Sequence, residues 1–198
     1  MILDLPLPPG WARAQAPGTA YGEGGDFVWP ADAPSPIATT GPTSLSSMEN
    51  LALAPAVLLV SPFLPLPPSL PILIEQALAS EPDYQVGRRS AVLTPRLGPW
   101  EAVQLLTQGK SRETGIETAR IYAALDAGYG AFLLVFIDGD PRRLPDRQQQ
   151  LDSLIAQARL RPPPAAAGPE SPDQAAIPPQ RPPGEIFFKE VLYRHLID

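Results

Sequence analysis

The sequence predicts an α+β domain, a mainly antiparallel sheet of about six to seven strands sandwiched between helices in three layers (α/β/α), followed by a proline-rich extension. Three observations predict it. Proline is uneven along the 198 residues: residues 1–72 hold 14, residues 73–161 hold 5 and residues 162–184 hold 9, so regular structure is expected in the middle block. Within that block the hydrophobic period alternates between about 3.6 and 2. One stretch, Ala131 to Ile137, is continuously apolar and β-rich, as a strand covered on both faces must be.

The elements follow in chain order. Ile2 to Leu5 and Phe27 to Trp29 are short strands. Pro30 to Asn50 is nearly uncharged and rich in Ser, Thr, Ala and Pro, which reads as a long irregular insertion at 30–50. Ala56 to Phe63, with Val57, Leu58, Leu59 and Val60, is a stronger strand. Leu70, Leu73, Ile74, Ala77 and Leu78 recur at helical spacing, Pro71 suits a first turn and Pro82 stops the helix. Tyr84 to Thr94 and Pro99 to Gln108 are strands, joined through Pro95 and Gly98. Glu117 to Asp126 alternates, Ala119, Ile121, Ala123 and Leu125 facing one way, and reads as a strand with one buried face. Asp138-Gly139-Asp140-Pro141 ends the apolar strand with turn chemistry. A last helix spans roughly Arg143 to Leu160, with Leu151, Leu154, Ile155 and Ala158 inside, and Pro162 to Pro164 stop it.

Three segments result: a domain over 1–161, a Pro-rich linker over 162–184 and an amphipathic helical anchor over 185–198. The linker cannot bury enough apolar surface to fold alone, and at ~3.1 Å per residue it reaches roughly 70 Å. In the anchor, Phe187, Phe188, Val191, Leu192, His195 and Leu196 share one helical face, which needs cover. A partner's groove, the chain's own sheet and a membrane surface are the alternatives; only Lys189 and Arg194 supply basic charge for the last.

Composition narrows the chemistry. No cysteine means no disulfide, thiolate zinc site or cysteine nucleophile, and one histidine leaves no two-imidazole site. The net charge of −6 argues against a general nucleic-acid binder. Leu51 to Ile74 is long enough to span a bilayer, but its six prolines argue against a transmembrane helix. No signal peptide is evident in the opening residues, so a cytoplasmic location is expected, with contact at a membrane-bound complex left open. The Pro/Ala/Leu/Arg bias points to a GC-rich bacterial genome.

The remaining motifs are short. Gly109-Lys110-Ser111 has the end of a phosphate loop without its upstream glycine, and Gly22-Glu23-Gly24-Gly25 lacks the βαβ setting of a dinucleotide fingerprint. Asp138 and Asp140 are spaced to share a cation or to cap a turn. Arg142, Arg143 and Arg147 form a basic cluster, either a solvated face or a site for an anionic partner. No catalytic constellation and no cofactor are expected; a small enzyme using Asp138, Asp140 and Glu101 is the alternative.

The order of elements resembles the Mog1/PsbP/DcrB-like superfamily over residues 1–161. Leu5-Pro-Leu-Pro-Pro-Gly-Trp11 is similar to the opening strand end of that family. Ile72 to Ser80 resembles its first helix, and Glu81-Pro-Asp-Tyr-Gln-Val86 resembles its link into a meander. Gly98-Pro-Trp-Glu-Ala-Val103 and the final strand and helix fit in place, with Ala156 to Leu160 where the family often has Ser-Phe-Arg. The resemblance implies a non-enzymatic role in holding another protein. Members include extrinsic subunits of photosystem II, a partner of a small nuclear GTPase and chaperones for type VI secretion effectors. The 30–50 insertion is longer than the family pattern. The expectation is a protein-binding accessory subunit or adaptor, with a cytoplasmic effector chaperone and a PsbP-like extrinsic subunit as variants.

Overall fold

The computed structural model describes residues 1–15, 26–32, 56–65, 69–81, 83–112 and 114–162. Most of the 30–50 insertion, the linker beyond Pro162, the 185–198 anchor and Gly22 to Gly25 lie outside the described residues.

The strands are β1 Ile2–Asp4, β2 Trp11–Gln15, β3 Asp26–Pro30, β4 Ala56–Val60, β5 Leu64–Pro65, β6 Tyr84–Arg89, β7 Arg96–Leu97, β8 Trp100–Ser111, β9 Glu117–Asp126, β10 Gly130–Asp138 and β11 Arg159–Arg161. The helices are α1 Leu70–Ala79 and α2 Leu144–Gln157, the latter entered through a 3-10 turn at Pro141–Arg143. The main sheet runs β2-β3-β4-β10-β9-β8-β6, with β5 on β10 and β7 on β8. Every pairing in it is antiparallel. The described residues thus form an α+β fold of mostly antiparallel sheet and two helices.

Each helix starts where the sequence gives it a reason. Ser69 caps α1 by accepting the Ile72 amide at 3.4 Å, and proline follows in the first turn of both helices. Leu73, Ile74 and Ala77 of α1 pack with Leu133, Val135 and Ile137 of β10. Leu151, Leu154 and Ile155 of α2 pack with the alternate residues Phe132, Leu134 and Phe136, joined by Leu3 and Leu5. All nine residues of β10 are buried, as its unbroken apolar run requires.

Four expectations need correction. Strand β9 is buried on both faces: Arg120, Tyr122 and Ala124 are as inaccessible as Ile121, Ala123 and Leu125, because α1 packs over the first set and α2 over the second. The last helix ends at Gln157, and Arg159–Arg161 turn extended to pair with β1, Leu3 opposite Leu160. Trp11–Gln15 is a strand the pattern does not reveal, so six to seven strands is too few. The Tyr84 to Thr94 strand stops at Arg89, and β8 runs on to Ser111.

Candidate functional site

The site is built by one irregularity in β6. Pairing with β8 proceeds Tyr84 to Ser111, Gln85 to Lys110 and Val86 to Gly109, then jumps to Arg88 opposite Gln108. Gly87 is the extra residue of a β-bulge. A bulge shifts the two-residue alternation by one, so Arg88 falls on the same face as Gln85, Gln108 and Lys110. Arg89 falls on the other face, where it pairs with Glu75 of α1, Nη1 to Oε2 at 3.3 Å.

Gln85, Arg88, Gln108, Lys110 and Glu117 line a groove of about 380 Å³, walled by Pro141. Gln108 Nε2 donates to the Pro141 carbonyl at 3.3 Å and ties the wall to the floor. Further along β8, Gln104 Nε2 donates to Asp152 Oδ1 of α2 at 2.6 Å. Helix α2 therefore covers the sheet at Gln104, while Lys110 stays exposed. Arg88 and Lys110 make no ion pair among the described residues. Glu117 stands opposite Lys110 in register.

The turn behind the wall holds the candidate cation ligands and the basic cluster. Asp138, 3% exposed, accepts the Asp140 amide at 2.7 Å on Oδ1 and Arg147 Nε at 2.5 Å on Oδ2. Asp140 accepts Arg142 through its amide at 3.1 Å and Nε at 3.0 Å, and Arg143 Nε lies 3.8 Å away. The hydrogen bond from the Arg142 side chain, then that from its amide, hold the Asp140 carboxyl below the ordinary carboxylate range. Both carboxylates thus serve as acceptors for guanidinium and amide donors. Among the described residues no group of three or more His, Cys, Asp or Glu is placed to hold a metal ion.

The three arginines do not share one surface. Arg147 turns inward, donates to Gln150 Oε1 at 2.8 Å and lies 5.8 Å from the centre of the Phe136 ring. Arg142 and Arg143 remain exposed, continuing the turn that begins at Pro141. Glu101 does not join them. It pairs with Arg96 at the far end of β8, whereas Asp138 is opposite Ala119, itself opposite Gln108. Seven residues of strand separate those ends, roughly 23 Å.

A second cluster, on the α1 face, escaped sequence reading. Glu81 forms a buried ion pair with Arg120 and accepts Tyr122 Oη at 2.8 Å. The Arg120 guanidinium sits on the Tyr84 ring, and Tyr84 Oη meets Thr107 Oγ1 at 3.1 Å. Burial pushes the Tyr122 phenol up to about 12, raises that of Tyr84 and lowers Arg120. The Tyr84 ring lies over Gly109, where an added Cβ would stand 2.8 Å from it. Gly109 of the Gly-Lys-Ser run is therefore a packing glycine inside a ladder, paired to Val86 on one side and Thr118 on the other. An arginine placed among apolar alternation was the available signal for this cluster.

No family model matches the chain, and no curated protein does. Solved structures match at low identity. A Bacteroides thetaiotaomicron protein aligns at 12% identity with a TM-score of 0.44, over 81% of this chain and 45% of its own, so this chain spans less than half of it. LpqN of Mycobacterium tuberculosis, involved in cell envelope biogenesis, aligns at 14% identity with a TM-score of 0.47, over 81% and 83%. Pseudomonas aeruginosa PA94, of unknown function, aligns at 11% identity with a TM-score of 0.38, over 82% and 86%. Among the described residues no helix is long and apolar enough to cross a membrane.

Proposed function

We propose that the chain is a non-enzymatic accessory subunit or adaptor that binds another protein through its folded body. The observation that carries this reading is the groove floored by Arg88 and Lys110, two exposed cations without ionic partners among the described residues. Cations left free beside a concave wall in a chain of net charge −6 are placed for a complementary surface. Two core clusters on opposite faces of the sheet support a three-layer α/β/α body of the Mog1/PsbP/DcrB-like kind. The terminal face of Phe187, Phe188, Val191, Leu192, His195 and Leu196 is the second arm, tethered through the linker and raising the effective concentration of the first. A bacterial cytoplasmic location belongs to the same proposal.

The test is affinity purification of the full chain from its source cells against two variants. One carries Arg88→Glu with Lys110→Glu; the other lacks residues 185–198. Partner recovery lost in the first and reduced in the second is expected. Equal recovery of the same partner from wild type and the charge-reversed chain would overturn the reading.

A further inference from the structure

We propose that the groove takes an extended acidic peptide, added as a further strand on the outer edge of β6; this rests on the protein-binding reading above and names the partner's chemistry. Strand β6 ends the sheet order, so among the described residues no strand lies on its other side. Such an edge is a template for another chain, and proteins blunt it with bulges and cations. Here the same devices select an occupant. Two copies of this edge would bring Arg88 and Arg89 of each into one short strand pair, and that concentration of like charge disfavours self-pairing.

An acidic strand fits instead. Added beside β6, it presents every second side chain to the groove face, about 6.8 Å apart. Carboxylates at that spacing meet Arg88 and the Gln85 amide at the edge, with Lys110 and Gln108 one strand further in. The Gly87 bulge is what puts Arg88 on this face rather than the opposite one. Arg142 and Arg143 extend the positive rim from Pro141. The groove's one carboxylate, Glu117, stands opposite Lys110 on β9, two strands in from the edge, and elsewhere the chain is net acidic, so attraction is local to the β6 edge and register-specific. Main-chain hydrogen bonds supply affinity, and the groove supplies the preference for acidic residues at alternate positions.

The experiment uses the full chain, isotope-labelled for NMR, titrated with a synthetic peptide that alternates threonine and glutamate. Two comparison probes are the same peptide N-methylated at alternate amides, which keeps its charge but loses strand pairing, and inorganic tripolyphosphate. Expected are shifts in the Gln85 to Arg89 amides and slowed exchange of those that point away from β8. Affinity should fall roughly tenfold with Arg88→Glu plus Lys110→Glu, fall comparably for the N-methylated peptide, and hold for Arg159→Glu, a charge reversal on β11. Equal binding of the N-methylated peptide or of tripolyphosphate makes the groove an anion site without strand addition and overturns the inference. Absence of peptide binding, with the cellular partner still lost on charge reversal, overturns the inference and leaves protein binding standing. Absence of both sinks both.

Discussion

The Arg120 guanidinium carbon lies 3.6 Å from the centre of the Tyr84 ring, so a strand at the sheet edge is held by a charge buried two strands inside it. The same guanidinium pairs with Glu81, at the end of the helix that covers this face. The core of the α1 face and the edge strand β6 are thereby joined through one residue.

Removing either half of that pair should be costly. Arg120→Met leaves Glu81 charged, buried and unpaired, and Glu81→Leu does the same to Arg120. Each is expected to lower stability by about 3–5 kcal/mol in urea unfolding, while the double variant recovers most of the loss. A double variant that loses the sum of the two single costs would show that the two side chains act independently.

Tyr122 gives the fold an alkaline limit. Its phenol is raised in the folded protein from 10.0 to about 12, so between those values the unfolded chain loses its proton first. The native state then binds more protons than the unfolded one, and stability falls as pH rises. The contribution is fully present below pH 10 and declines by roughly 2–3 kcal/mol toward pH 12. Tyr84, also raised by burial, adds in the same direction. Tyr122→Phe should lower stability at pH 8, because Glu81 loses a donor, and flatten the decline above pH 10. Unfolding midpoints measured from pH 8 to 11.5 provide the check.

Gly98 and Gly109 are fixed by close approach. Gly98 has φ of +60°, and a Cβ there would stand 2.5 Å from the Ala156 carbonyl oxygen of α2. Gly98→Ala should destabilise by about 1–3 kcal/mol through both strain and displacement of the helix end. Gly109→Ala pushes against the Tyr84 ring and the Gln85 carbonyl. Its expected signature is local: faster amide exchange in β6 than in β9, with a smaller loss of global stability.

At the end of β10, Asp138→Asn removes the charge that holds Arg147 and is expected to cost about 2–4 kcal/mol. Asp140→Asn, at a more exposed carboxylate, should change the unfolding midpoint far less. A similar loss for both would place the weight on the turn rather than on the buried pair.

Much of this fold was legible because it rests on local pattern. The stripe of Leu151, Leu154 and Ile155, the Ser69-Leu70-Pro71 start and the apolar run of β10 each state their own burial. Sheet position is not local. Nothing in Thr118, Arg120 and Tyr122 says that a helix will cover their face, so an alternating strand reads as half exposed. Nor does Arg159–Arg161 announce itself, since its pairing depends on β1, at the other end of the domain. The groove was missed for the same reason: its floor joins residues from β6, β8 and β9 through a bulge at a single glycine. The Asp138 to Arg147 segment was singled out as a site by composition, and the structure divides it between an inward structural pair and two outward arginines.

The most direct measurement is site-specific photo-crosslinking in the source cells, with the photoreactive residue placed at the exposed position Gln85 beside Arg88. A discrete adduct with one protein, its crosslinked peptide rich in Asp or Glu and lost on Arg88→Glu with Lys110→Glu, is the expected result. No adduct from Gln85 in cells where the chain retains its partner would contradict the account, because binding would then use another surface.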